Sequence, residues 1–213
     1  MKNLSEIFGL VCYTNMSYRP DRNIYAQQEI SKLGLTPTRI PGIIYTGTNS
    51  SIRNGQIGCG LAHLNGLRLA KEQNQNVLMF EDDVKFINDY SNIIQGALDE
   101  LPEQWKMLFF GANVCSSIFQ VSPHLGKLTH AQATHAYAVN KNFLDKLINY
   151  LEPRITTTII DVIYANEIVP ANNCYITIPM VAVQKSGYSN IEERNVSYQD
   201  WMETRFYEQL RRN

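Results

Sequence analysis

The sequence predicts an α/β domain, a sheet covered by helices, and three observations carry that prediction. Apolar strand-like runs alternate with helical patterns over the first half of the chain, which argues for a largely parallel, helix-covered sheet. Val77-Leu78-Met79-Phe80 is an unbroken apolar run, so both of its faces must be covered, as in a central strand. The chain of 213 residues fits one domain and is long enough to bury a real core.

Taken in order, residues 7–13 (IFGLVCY) read as a first buried strand, followed by a polar turn at 15–21 with Pro20. Residues 22–35 read as a helix with Ile24, Ile30 and Leu33 inward and Gly34 near its end. A short strand at 38–40 stops at Pro41-Gly42, and 45–56 is rich in Thr, Asn, Ser and Gly, which predicts a surface loop. Residues 60–72 are helical, with Leu61, Leu64, Leu67 and Leu69 as core positions. After the 77–80 strand, 87–101 carries Tyr90, Ile93, Ile94, Ala97 and Leu98 at helical spacing. A strand at 106–110 ends at Gly111, and 112–126 reads as irregular. Residues 134–139 are strand-like, and Asn140 caps a helix carrying Phe143, Leu144, Leu147 and Leu151. A helix over 158–165, one or two strands over 174–183 broken by Pro179, and a helical tail from Ser197 with Trp201, Phe206 and Leu210 as a docking stripe complete the reading.

Composition narrows the function classes. Hydrophobic residues make up 44% and charged residues 18%, the balance of a globular chain, and the net charge of -1 gives no electrostatic reason to expect nucleic acid or an anionic membrane as partner. The basic group Arg205, Arg211 and Arg212 suits a solvated helix end. No stretch approaches the roughly 20 apolar residues of a membrane span, and the first ten residues lack a signal peptide's apolar run. The expectation is a cytoplasmic chain or a fragment of something larger. Cys12, Cys59, Cys115 and Cys174 form no C-x-x-C pair, so zinc-ligand spacing is missing and reduced thiols are expected.

Three polar segments fall at the carboxyl ends of predicted strands, where open α/β sheets bind ligands: 15–22, 81–83 and 111–113. The second, Glu81-Asp82-Asp83, places three carboxylates against a low-dielectric core, and such a group needs compensation. A hard divalent cation, Mg²⁺ or Mn²⁺ bridged to phosphates, supplies it; a solvated acidic turn beside a helix N-terminus is the structural alternative. In an extended chain Glu81 and Asp83 point the same way and Asp82 away. Phosphatase and receiver-domain arrangements place their acids after the first strand, which here ends in Thr14-Asn15, so neither order fits.

Five blocks in order resemble glycosyltransferase family 25, the lipooligosaccharide and procollagen galactosyltransferase-like enzymes. Asn15 to Arg22 (NMSYRPDR) is similar to that family's I-N-L-x-x-x-x-D-R segment, Gly58 to Leu64 (GCGLAHL) to its G-C-x-x-S-H block, and Val77 to Val84 (VLMFEDDV) to its strand plus E-D-D-V. Thr134 to Val139 (THAYAV) resembles its T-x-A-Y block, and Ile160-Asp161 stands where it has a later I-D. Ala62 replaces the usual Ser, Met16 the usual Leu, and Ser189-Asn190-Ile191 stands where S-D-I is common after Gln184. The resemblance implies a GT-A fold, a Rossmann-like mixed sheet flanked by helices in a single domain. It implies a nucleotide-sugar-binding half at 1–110, an acceptor-side half at 111–191 and a helical tail at 192–213. It further implies a UDP-hexose donor (galactose or glucose), Mn²⁺ or Mg²⁺, and an inverting transfer to a glycan or hydroxylysine hydroxyl.

On these grounds Asp83 is assigned as metal ligand and Glu81 as ligand or ribose contact, with Asp82 beside them on the donor side. Arg19 and Arg22, near the first strand's end with Asn15, suit a diphosphate or base, or else pair with Asp21 or Glu29. Gln184 completes the metal shell or binds acceptor. Inversion requires a base opposite the leaving group, and Asp161, a carboxylate opening the apolar run IIDVIYA, is the candidate. His63 reads as a satisfied core histidine, and His135 and Tyr137 as acceptor-side or core residues. A relative that binds sugar nucleotide without turnover and a metal-dependent hydrolase are the alternatives.

Overall fold

The computed structural model describes residues 4–211, so Arg212 of the basic tail lies outside the described residues. After a single turn, α1 (Leu4–Ile7), the chain runs β1 (Leu10–Asn15), α2 (Pro20–Ser31), β2 (Thr38–Pro41), α3 (Ser51–Glu72), β3 (Val77–Glu81) and β4 (Val84–Phe86). Next come α4 (Tyr90–Glu100), β5 (Met107–Phe109), β6 (Asn113–Val114), β7 (Ile118–Ser122), β8 (Leu125–Lys127), β9 (Ala131–Gln132) and β10 (Ala136–Val139). The last part holds α5 (Lys141–Leu151), α6 (Ile160–Ile163) with a π-helical turn at Tyr164–Ile168, and β11 (Cys174–Thr177). It closes with β12 (Ala182–Gln184), β13 (Gly187–Ser189), β14 (Arg194–Val196), α7 (Gln199–Gln209) and β15 (Leu210–Arg211).

Nine strands form one sheet in the order β15-β7-β8-β11-β5-β10-β3-β1-β2. The β2-β1-β3 edge is parallel, as the alternation of the first half predicts. β10 then enters antiparallel between β3 and β5, and β8 pairs antiparallel with both β11 and β7. The sheet is therefore mixed rather than largely parallel. Period-two burial splits the core onto its two faces. Leu10, Cys12, Val77, Met79, Tyr137 and Val139 join the side covered by α3 and α5. Val11, Tyr13, Leu78, Phe80, Ala136 and Ala138 join the side covered by α2 and α4. β3 is buried on both faces, which is why its run has no polar interruption.

Several expectations are corrected. Residues 51–56 are not loop: Ser50 accepts a hydrogen bond from the Arg53 amide at 3.2 Å and starts α3 there, a capping signal hidden in a Ser/Asn-rich stretch. Residues 112–126 are not irregular but supply β6, β7 and β8, strands too short to show a period. Ile24 is 58% exposed and Trp201 48% exposed, because α2 buries Ala26 and Ile30 and α7 buries Met202 and Phe206 instead. The helix expected over 158–165 is one α-helical turn continued by the π-helical one. Asn140 does cap α5, its side chain accepting from the Asn142 amide at 2.9 Å. No helix among the described residues is long and apolar enough to cross a membrane. The four cysteines are free, Cys12 and Cys174 buried and Cys59 and Cys115 half-buried.

Candidate functional site

Strand register brings the first two polar segments together. β1 and β3 are parallel neighbours with Thr14 opposite Glu81, so Asn15 and Asp82 leave adjacent strand ends on the same edge of the sheet. Asn15 Nδ2 donates to Asp82 Oδ2 at 2.7 Å and to the Arg19 carbonyl at 3.1 Å. Arg39, on β2, holds Asn15 from the other side, donating to its Oδ1 at 3.0 Å and its carbonyl at 3.1 Å. Pro20 opens α2 at its first turn and places Arg22 over the acids. Arg22 Nη1 reaches Asp82 Oδ1 at 2.8 Å and Asp83 Oδ2 at 3.3 Å, while Nη2 donates to the Tyr188 carbonyl at 2.9 Å.

The chain turns immediately after Glu81, so the strand alternation expected for the triplet stops there. Asp82 and Asp83 share Arg22, and Glu81 points the other way, accepting from Thr134 Oγ1 at 2.6 Å. Arg19 is engaged by Asp21, through Nε at 2.9 Å and Nη2 at 2.8 Å, and by Asn190. Gln184 pairs with Val84 across β12 and β4.

These residues surround a cleft of about 400 Å³ that takes in Asn15, Arg19, Arg22, the whole acidic triplet and Gln184. That volume lies within the roughly 300–1,000 Å³ of small-molecule sites. Its far wall is the 43–45 segment packed on α3 at Gly58, where a Cβ would stand 2.2 Å from the Ile43 carbonyl oxygen. The third polar segment does not open into it. Val181 and Ala182 both donate to the Phe110 carbonyl at 2.9 Å, and a Cβ on Gly111 would stand 1.8 Å from the Ala182 oxygen, so β12 covers that strand end.

Electrostatics divide the triplet. Burial pushes Asp83 up to about 7, helped by the charge of Glu81 and opposed by Arg22. Its Oδ1 is buried and has no hydrogen-bond partner. Burial works to raise Glu81 as well, but His63 and the Thr134 hydroxyl outweigh it and hold Glu81 below its ordinary value. Burial, together with the Asp83 and Asp82 charges acting against it, leaves Arg22 above its ordinary value.

Asp161 is not on the cleft wall. It sits behind Glu81, its Oδ1 3.2 Å from Thr134 Oγ1, and burial with the Glu81 charge lifts it to about 6. Thr134, the residue that joins the two acids, follows Ala133 at φ +80, a left-handed backbone that a non-glycine residue adopts at a cost of about 1–2 kcal/mol. His63 is fully buried, and its Nε2 lies 3.4 Å from Glu81 Oε1 without forming a hydrogen bond. Its Nδ1 is 3.0 Å from the Tyr137 hydroxyl, itself 3.3 Å from that of Tyr164. Sequence reasoning gave none of Thr134, Arg39 or Asn190 a role. Thr134 stood in a quoted block, and Asn190 in a noted departure; Arg39 carried no signal beyond a charge beside a strand end.

At the acidic turn Asp83 carries a buried carboxylate oxygen with no hydrogen-bond partner, the kind of oxygen a hard cation takes, and Gln184 lines the same cleft. No protein-family model matches this chain. No curated protein matches it either. Among solved structures it is similar to a glycosyltransferase involved in glycosylation of the major capsid of PBCV-1, with TM-score 0.46 and 9% identity over 92% of this chain and 98% of that one. It is also similar to A197 from STIV, with TM-score 0.46 and 10% identity over 84% of this chain and 95% of that one.

Proposed function

We propose that this protein is a metal-dependent glycosyltransferase that moves a hexose from a UDP-sugar, with inversion, to a hydroxyl of a glycan or hydroxylysine acceptor. One observation carries the reading: Asp83, whose Oδ1 is buried and unpartnered, lines a small-molecule-sized cleft at the carboxyl ends of two parallel strands. A divalent cation would give that oxygen the partner it lacks, and the five sequence blocks of the family-25 resemblance imply a donor site at the same acids.

In this reading Asp83 and Gln184 hold Mn²⁺ or Mg²⁺, and Asp82 stays locked by Asn15 and Arg22 as the wall behind them. The cation, when bound, stabilises the charge that develops on the departing nucleoside diphosphate. Arg22 neutralises Asp82 and Asp83 in the free protein and, on the cleft wall, would be available to the donor's phosphates. Asn15 and Arg39 fix the strand ends on which the donor rests. Asp161 is the proposed base, and its pKa of about 6 suits proton transfer near neutrality. Because it lies behind Glu81, the acceptor's proton reaches it by way of the Glu81–Thr134 contact.

The test is turnover of UDP-galactose and UDP-glucose with and without Mn²⁺, in wild type and Asp83→Ala. Sugar transfer that needs the metal, and falls by at least about a hundredfold in the variant, is expected. Full turnover by Asp83→Ala, or donor hydrolysis with no glycosylated product, overturns the reading.

A further inference from the structure

The floor of the cleft holds a second group of ligating side chains, which shares Glu81 with the proton route proposed above and uses neither Asp82 nor Asp83. Cys59 and His63 are one turn apart on α3, and both face the end of β3. One ligand atom each from Cys59, His63 and Glu81 lies within 4.8 Å of the others. Cys59 and Glu81 line the cleft, whereas His63 is fully buried behind them.

The histidine is the informative member. A buried ring nitrogen without a partner costs about 1–3 kcal/mol, and His63 Nε2 is such an atom, aimed at Glu81 Oε1 from 3.4 Å. Its other nitrogen is already provided for. With the proton on Nδ1, His63 donates to the Tyr137 hydroxyl, which donates in turn to Tyr164. That leaves the Nε2 lone pair directed at the cleft floor. Ring stacking on Tyr137, with centroids 5.7 Å apart, fixes the orientation. Metal-bound histidines are held in this way by a hydrogen bond from the nitrogen that does not ligate.

We propose that Cys59, His63 and Glu81 form a binding site for a borderline-soft divalent cation of the zinc type, separate from the hard-cation site at Asp83. The chemistry of the donors selects the ion. A thiolate with an imidazole and one carboxylate suits Zn²⁺ or Co²⁺, whereas Mg²⁺ and Mn²⁺ prefer oxygen alone. On binding, the Cys59 thiol gives its proton to solvent and the sulfur becomes a ligand. Three protein ligands leave the fourth position of a tetrahedral ion open, and Cys59 and Glu81 turn that position toward the cleft. An ion there sits within reach of whatever the cleft binds. The sequence offered no C-x-x-C pair, and the site instead uses a Cys-x₃-His spacing that becomes one face of a helix.

Cobalt(II) titration of the chelator-treated full-length protein tests this, because a thiolate ligand gives cobalt an intense near-ultraviolet charge-transfer band. The expected result is a band saturating at one equivalent in wild type. Cys59→Ser should lose it, and Asp83→Asn should keep it, which separates this site from the proposed donor site. Competition with a chromogenic zinc chelator supplies the second measurement. Cys59→Ser and Glu81→Gln should each weaken zinc by more than about tenfold, since even outer-shell changes cost roughly 10- to 100-fold. Circular dichroism confirms that each variant is folded. Absence of the band in wild type, its survival in Cys59→Ser, or unchanged zinc affinity in both folded variants overturns the proposal.

Discussion

One peptide bond separates two carboxylate environments with opposite solutions to the same problem. Asp82 and Asp83 form the outer one, neutralised by the Arg22 guanidinium at 2.8 and 3.3 Å. Glu81 and Asp161 form the inner one, where no arginine or lysine among the described residues makes a hydrogen bond or ion pair: a threonine hydroxyl, an imidazole and backbone serve instead. The outer arrangement depends on a full positive charge, so a metal ion can stand in for it. The inner arrangement depends on individual hydrogen bonds, so a substitution there should cost or gain only what the bond or ionisation it removes is worth. The two regions should therefore fail differently.

The largest expected effect comes from removing the outer cation. Arg22→Met removes the guanidinium that contacts both of these mostly buried carboxylates, and breaking a buried pair from one side costs about 3–5 kcal/mol. For a chain of this size that is a fall in Tm of roughly 6–20 °C. Thermal melts with and without Mn²⁺ check the comparison. The variant should recover several degrees on adding Mn²⁺, and more than wild type does. An Arg22→Met protein as stable as wild type without metal would mean that the outer pair rests on something other than Arg22.

The inner region should respond to pH, with a definite sign. Asp161 has a folded-state pKa of about 6 against an ordinary 3.8. Between those values the native state holds a proton that the unfolded state has released, so stability falls as pH rises from about 4 to about 6. The two-unit gap corresponds to on the order of 3 kcal/mol. Asp161→Asn removes the ionisation and keeps an oxygen to accept from Thr134. It should melt several degrees above wild type at pH 7.5 and match it near pH 4. A variant less stable than wild type at pH 7.5 would show that the ionised carboxylate holds the inner region together.

The outer region was largely legible in the sequence, because strand-end acids and a nearby arginine are local signals. VLMFEDD announces a buried strand with charge at its carboxyl end, and Asn15 and Arg22 follow the neighbouring strand. What the sequence hid there was the turn that starts at Asp82, which sends Asp82 toward Arg22 when simple alternation points it away. The inner region was not legible, because its members come from α3, β3, the 133–134 turn and α6, and only the antiparallel insertion of β10 brings them together. Nothing in residues 134–139 says that their strand lies beside β3 and not at the sheet's edge. The mixed sheet, which the family resemblance implies, was not readable from the strand pattern itself: alternation predicts the parallel β2-β1-β3 unit, while short strands such as β8 carry no readable period. His63, read as a contented core histidine, is buried as expected, but one of its nitrogens is not satisfied.

That histidine sets the smallest of the expected effects. Tyr137→Phe keeps the ring that stacks on His63 and Phe109 and deletes only the hydroxyl between His63 Nδ1 and Tyr164. Both nitrogens of a fully buried imidazole then lack a partner, and the net loss of one such hydrogen bond is about 1 kcal/mol. In denaturant titrations the midpoint should drop slightly with an unchanged slope, because the surface exposed on unfolding is the same. Set against Arg22→Met, the result sharpens the contrast between the two regions. A small loss that added Mn²⁺ does not reverse marks the inner region as a hydrogen-bonded structure, independent of the cation proposed for Asp83. If Mn²⁺ restored Tyr137→Phe as it restores Arg22→Met, the two carboxylate environments would be one coupled site, and the separation drawn at the Glu81–Asp82 peptide bond would not hold.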